Sequence, residues 1–230
     1  MTLLAVRHGR ACFGGADYDQ LSADGHEQSR RLGQWLAAHD MRFDAVVCGG
    51  MRRHRETLQA LVDAYAARGI ALPAAETDPD LDEFDHRAVI AAFTLAEPQH
   101  PAVRATDGGR RGSPREVFAL LHAALLRWAG DELGASCESW QTFRQRTQRA
   151  FARVSGAADG GEVLMVSSGG VISQLAQRAL DAADARAIEL NLSLRNSALC
   201  EFHALGDGLR MGSWNGLPHL ADARALWTYF

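Results

Sequence analysis

No lysine occurs in this chain: all 24 basic residues are arginine. An anionic ligand must therefore be held by arginine, histidine, hydroxyl groups and backbone N–H groups. Cys12, Cys48, Cys137 and Cys200 are scattered, with no C-x-x-C pair, which fits reduced and mostly buried thiols. No His, Cys or Asp cluster with metal-ligand spacing appears, so neither a metal nor a cofactor is expected. No apolar run is long enough to span a membrane. The opening Met1-Thr2-Leu3-Leu4 lacks the basic and apolar regions of a signal peptide, so a cytoplasmic protein is expected. Internal repeats and low-complexity segments are absent. A formal net charge of −4 argues against a nucleic-acid partner.

What is present is an ordinary globular composition, 47% hydrophobic and 23% charged over 230 residues, enough for one domain with a sizeable core. The apolar run Leu3-Leu4-Ala5-Val6 reads as a buried strand. Ser22 reads as the N-cap of a helix ending near His39, with Gln28, Leu32, Trp35 and Leu36 on its pattern. A strand over 45–48 and a helix over 52–68 follow, the latter with Leu58, Leu61, Val62 and Tyr65 on one face. A third strand is predicted over 71–75. This β-α-β-α-β order favours an α/β three-layer sandwich, a mostly parallel central sheet with helices on both faces.

Beyond it lie an acidic loop over 77–85 and a short helix over 88–95. The Pro- and Gly-rich stretch 98–114 marks the boundary of an insertion, and 77–115 as a whole is expected to cap the site. Helices over 115–130 and 138–155, a strand over 163–166, a helix to about residue 180 and strands over 196–202 and 209–214 complete the expectation, one of the last two antiparallel.

Arg7-His8-Gly9 sits where the first strand ends, and the carboxyl ends of strands in an open α/β sheet are where ligands bind. Arg7 offers a planar fork of donors for phosphate, His8 a nucleophile or base near neutral pH, and Gly9 a tight turn. Further patches follow in order: Leu21-Ser22-Ala23-Asp24-Gly25-His26-Glu27-Gln28, then Val47 through Thr57, then Leu81-Asp82-Glu83, then Glu138-Ser139 leading a helix with Arg146, then Val166-Ser167-Ser168-Gly169-Gly170-Val171. Together they resemble the histidine phosphatase superfamily, also called phosphoglycerate mutase-like. The resemblance spans nearly the whole chain.

The resemblance implies a two-step phosphoryl transfer without a metal. His8 becomes phosphorylated, Arg7 and Arg53 hold the phosphoryl oxygens, and Glu83 protonates the leaving group and then activates water. Arg52 and Arg55 are rivals of Arg53 on the same helix, and the R-x-x-x-T register selects Arg53. Asp82 and Asp85 read as solvated neighbours of Glu83, and His26, His39, His100 and His122 as surface or satisfied polar residues.

The family's second histidine falls on Ser168, where the hydroxyl and the N–H groups of Gly169 and Gly170 could still bind an anion. His86 stands where the family has an aromatic-Gly pair. It is a candidate to replace the lost donor or to bind substrate, with its pKa raised by a bound dianion. The expected activity is a slow phosphomonoesterase acting on a phosphorylated small molecule or phosphoprotein, with true mutase activity disfavoured. The alternative is a pseudo-phosphatase that binds phosphate ligands or partners without turnover. A Cys-based phosphatase fails because C-x5-R is not met at Cys48, whose sixth following residue is His54. A serine hydrolase elbow fails because G-x-S-x-G would need glycine where Val166 stands. Substrate choice is expected from 13–19 and 98–114. The sequence leaves the oligomeric state open.

Overall fold

The computed structural model describes residues 1–12, 19–157, 160–206 and 208–229. Six strands form one sheet: β1 (Thr2–Arg7), β2 (Ala45–Cys48), β3 (Ala75–Thr77), β4 (Glu162–Ser167), β5 (Leu199–Leu205) and β6 (Gly208–Gly216). Their spatial order is β3-β2-β4-β1-β5-β6. β1, β2, β3 and β4 run parallel, β5 runs antiparallel to β1, and β6 turns back antiparallel to β5. The mostly parallel sheet and the single reversed strand match the sequence expectation.

Among the described residues there are eight α-helices: α1 (Ala23–Ala38), α2 (Arg52–Ala66), α3 (His86–Ala96), α4 (Pro101–Thr106), α5 (Pro114–Ala129), α6 (Trp140–Ala157), α7 (Gly169–Leu180) and α8 (Asp184–Ser193). Alternate residues of the central strands supply two cores, one on each face. Leu4, Val6, Leu164 and Val166 pack with Leu32, Leu36, Leu58, Leu61 and Tyr65 of α1 and α2. Leu3, Ala5, Val163 and Met165 pack with Phe93, Leu125, Trp128, Phe143 and Ile172 on the other face. A central strand buried on both faces explains why Leu3 to Val6 is a continuous apolar run rather than an alternating one.

Several boundaries differ from the sequence expectation. β3 falls at Ala75–Thr77 rather than 71–75, and its three residues are all exposed, so hydrophobicity could not place it. Ile70 and Leu72 are instead loop residues packed on the α1/α2 core. Val62 is 36% exposed and does not belong to the buried face of α2. The 98–114 stretch contains α4 and then a turn in which Gly108, Gly109 and Gly112 all take positive φ, before the Ser113–Glu116 capping box opens α5. Helix α8 was not anticipated; its N-cap, Ala183, makes no side-chain cap bond. Of the expected substrate-selecting segment 13–19, residues 13–18 lie outside the described residues.

Candidate active site

Three parallel strands end level with one another. Arg7 of β1 pairs with Ser167 of β4, and Cys48 of β2 pairs with Val166. The next residues, His8, Gly49 and Ser168, therefore emerge together. The His8 N–H donates to the Ser167 carbonyl at 2.9 Å and the Gly49 N–H to Val166 at 3.0 Å. Two helices start at the same edge, α2 after Met51 and α7 after Ser168. Their N-termini bring two positive dipole ends to this edge, which suits an anion.

The turn after β1 is fixed by the neighbouring motifs. The Gly9 N–H donates to Thr57 Oγ1 at 3.0 Å, and that hydroxyl donates to the Arg53 carbonyl at 2.8 Å. A Cβ on Gly9 would lie 2.4 Å from the Gly25 carbonyl oxygen, so only glycine lets the turn press on α1. Ser22 caps α1 by accepting from the Gly25 N–H at 3.1 Å. Gln28 accepts the Arg10 N–H at 2.8 Å and donates to the Leu226 carbonyl at 2.7 Å.

This frame holds the His8 ring, 5% exposed. Its Nδ1–H donates to the Gly9 carbonyl at 2.6 Å, leaving the Nε2 lone pair to accept the Arg53 Nε–H at 3.1 Å. Burial, reinforced by the charges of Arg53 and Arg7 and by His54, drives its pKa well below the ordinary histidine value, against the Gly9 bond. The ring is thus neutral at neutral pH, with its tautomer set and one nitrogen nucleophilic.

Arg53 is buried, whereas Arg52 and Arg55 of the same turn are exposed. Its guanidinium also donates to Asp19 Oδ1 at 2.7 Å, and the other Asp19 oxygen accepts the Arg52 N–H at 2.7 Å. The Arg7 guanidinium donates to the carbonyls of Leu194 and, at 2.8 Å, of Tyr229. The segment near residue 229 thus reaches back to the first strand, a connection the sequence did not signal.

Glu83 enters from the far side. Its Oε2 accepts the Gly170 N–H at 3.0 Å and its Oε1 the Phe84 N–H at 3.3 Å. A Cβ on Gly170 would lie 2.1 Å from Oε1, so glycine makes room for this carboxyl. Burial raises the Glu83 pKa, and the Gly170 bond and the charges of Arg53 and Arg7 only partly oppose it. Arg146 holds the approach in place: it donates to the carbonyls of Asp80 at 3.0 Å and Asp82 at 2.5 Å while paired with Glu138 at 2.7 Å.

His86 is the first residue of α3, capped by Asp85. Burial lowers its pKa; Asp85 opposes this, and the charges of Arg87 and Arg53 add to it. It is therefore neutral at neutral pH. Ser168 is fully buried at the N-cap of α7, yet its hydroxyl makes no capping bond. It meets His54 Nε2 at 2.7 Å instead. The ring of His54, also fully buried, has its centroid 5.5 Å from that of His8. Sequence reasoning missed His54 because the R-x-x-x-T pattern marks only Arg53 and Thr57. Among the described residues no group of three or more His, Cys, Asp or Glu is placed to hold a metal ion.

The structure is similar to that of a phosphoglycerate mutase from Bacillus anthracis, with a TM-score of 0.66 and 20% identity over 97% of this chain and 96% of that one. A putative alpha-ribazole-5'-P phosphatase from Escherichia coli matches with a TM-score of 0.64 and 21% identity, covering 94% and 97% of the two chains. A mutant phosphoserine phosphatase from Entamoeba histolytica in complex with phosphoserine matches at 0.64 and 13% identity, covering 95% and 98%. At these identities the likeness is one of fold. No curated protein matches the sequence. The sequence model of the histidine phosphatase superfamily (branch 1) matches residues 3–107 and 108–216. Since that match runs from the strand presenting His8 to the end of the outer strand β6, this protein belongs to the histidine phosphatase superfamily.

Proposed function

We propose that the protein is a phosphomonoester hydrolase acting through a phosphohistidine at His8. The observation that carries this is the His8 ring itself: Nδ1 is committed to the Gly9 carbonyl, and Nε2 is a lone pair beside Arg53. Nε2 attacks phosphorus, forming the P–N bond as the ester P–O bond breaks, and the leaving oxygen takes the Glu83 proton. Water then attacks the phosphohistidine and gives a proton back to the Glu83 carboxylate, and inorganic phosphate leaves with the P–N bonding pair returned to Nε2. Arg7, Arg53 and the N–H of Gly169 hold the phosphoryl oxygens, and no metal takes part. His86, with the 77–115 segment that carries it and Glu83, borders the rest of the substrate.

Solved relatives of the same fold include phosphatases for phosphoserine and for glucosyl-3-phosphoglycerate, which supports a phosphorylated small molecule as substrate. The four unpaired cysteines support a reducing, cytoplasmic setting. Ser168, standing where the family's second histidine is expected, favours a second reading, a phosphate-binding protein without turnover. Rapid quench with labelled phosphomonoester in EDTA separates the two. The hydrolase traps an acid-labile phosphoenzyme that His8→Ala abolishes. Phosphate binding without any phosphoenzyme selects the second reading.

A further inference from the structure

His54, backed by Asp82 and Gly49, meets Ser168 in a way the expected chemistry does not use. His54 is the third residue of α2, and both its ring nitrogens are buried. Nε2 is bonded to the Ser168 hydroxyl at 2.7 Å. Nδ1 has no hydrogen bond, and the nearest opposite charge is Asp82 Oδ1 at 3.7 Å. Asp82 is itself fixed, because Oδ1 accepts the Gly50 N–H at 2.6 Å and the Met51 N–H at 3.2 Å. Gly49 leaves space for the ring, since a Cβ there would lie 2.2 Å from His54 Nδ1. The result is a chain Asp82–His54–Ser168 whose last member follows Ser167, the residue whose carbonyl accepts the His8 N–H. A buried imidazole with one uncommitted nitrogen is costly unless it has work to do.

We propose that this chain supplies the phosphoryl group with a charged donor: His54, oriented by Asp82, donates to the Ser168 hydroxyl, which donates in turn to a phosphoryl oxygen during transfer. The imidazole expected at position 168 is thus provided from position 54, one residue further back in space. The relay rests on the phosphohistidine reading above. The proton that charges His54 is taken up from solvent as substrate binds and is released again when phosphate leaves, so none is consumed over the cycle.

The hydroxyl can serve only one direction at a time. While His54 is neutral with its proton on Nδ1, Ser168 donates to Nε2 and offers the site no hydrogen. Once His54 is charged, Nε2–H donates to Ser168 and frees the hydroxyl hydrogen for phosphate. The groups facing His54 are Asp82, Asp19, Arg53 and His8. Burial keeps its pKa low, Asp82 opposing and Arg53 reinforcing this. A dianion bound at His8 shifts the balance toward the charged ring. The relay therefore switches on when substrate arrives.

The test is turnover of p-nitrophenyl phosphate and inhibition by orthovanadate, a five-coordinate mimic of the transferring group, on the intact chain. His54→Ala is expected to lower kcat by about 100- to 1000-fold with KM changed only a few-fold, and to weaken vanadate in step with kcat. His54→Gln keeps the volume and can still bond Ser168 but cannot carry the charge; it is expected to fold and to lose kcat similarly. The double substitution His54→Ala with Ser168→His returns an imidazole to the emptied space and is expected to recover at least about tenfold of the loss. A His54→Gln variant with parental kcat, or a double variant no faster than His54→Ala, overturns the relay. A parent without His8-dependent turnover overturns the relay and the hydrolase reading together. His8-dependent turnover indifferent to His54→Gln overturns the relay alone.

Discussion

At the scale of single residues, three arginines in the first turn of α2 share one chemistry and differ only in where the helix points them. Arg52 pairs with Glu56 at 2.6 Å in solvent, Arg55 reaches back to the Gly50 carbonyl, and Arg53 alone is buried against His8. Arg53→Ala should weaken inorganic phosphate binding by about tenfold to a hundredfold, the worth of a charge-assisted bond. Arg52→Ala and Arg55→Ala should change it little, and a phosphate titration of all three decides the matter.

Glu83 gives a second prediction. Its acid form is favoured by burial while His8 is held neutral, so kcat/KM should be bell-shaped: it falls below the lowered His8 pKa and above the raised Glu83 pKa. Glu83→Gln should erase the alkaline limb and slow alkyl phosphates by about 100-fold or more. With p-nitrophenyl phosphate, whose leaving group needs no proton, it should show a burst of one product per enzyme, because only the water step still needs the base. Stopped-flow absorbance reads this directly.

The positions of His8 and Glu83 were legible because short motifs named them. His54 was not, since a histidine between Arg53 and Arg55 in sequence looks like part of a charged outer face. Only the convergence of strand ends turns the first turn of α2 inward on two sides.

At the scale of elements, the legible parts are those written in local backbone chemistry. Ser22 with Gly25 and Gln28 marks the start of α1: the Ser22 hydroxyl donates to the Arg10 carbonyl and accepts the Gly25 N–H, and Gln28 accepts the Arg10 N–H. The R-x-x-x-T spacing is one helical turn, which lets Thr57 touch both the Arg53 carbonyl and the Gly9 N–H. β3 and α8 were misplaced or missed for the opposite reason. One is exposed throughout and the other starts without a capping side chain, so neither carries a local mark.

Helix α7 carries a prediction of its own. Gly170→Ala should favour the helix by intrinsic propensity, yet its methyl would collide with Glu83 and Phe84. The variant should remain folded by circular dichroism and lose kcat on alkyl phosphates about as Glu83→Gln does.

At the scale of the whole molecule, buried neutral histidines tie stability to pH. His8, His54 and His219 all have folded pKa values below the ordinary one, and burial together with the Arg31 charge brings His219 down to about 4. Each takes up a proton more readily once unfolded. Their contribution to stability is therefore full above about pH 6.5 and declines as pH falls toward the folded values. His219 alone accounts for about 3 kcal/mol of this loss by pH 4. His219→Gln, which can still bond Ser197, should flatten the decline of melting temperature between pH 6.5 and 4. An unchanged slope would assign the acid sensitivity elsewhere.

The sheet order has a consequence for how the chain comes into being. β1 precedes its two neighbours, β4 and β5, by long stretches of chain, for these begin at Glu162 and Leu199. A chain emerging from the ribosome carries Leu3, Leu4, Ala5 and Val6 unpaired at least until Glu162 and the rest of β4 have been made. Such distant pairings make for slow folding and a long exposure of apolar strand. His8, at the end of that strand, is thus placed only once β4 and β5 have followed it, and a synthesis arrested before β5 leaves a sticky apolar segment for chaperones.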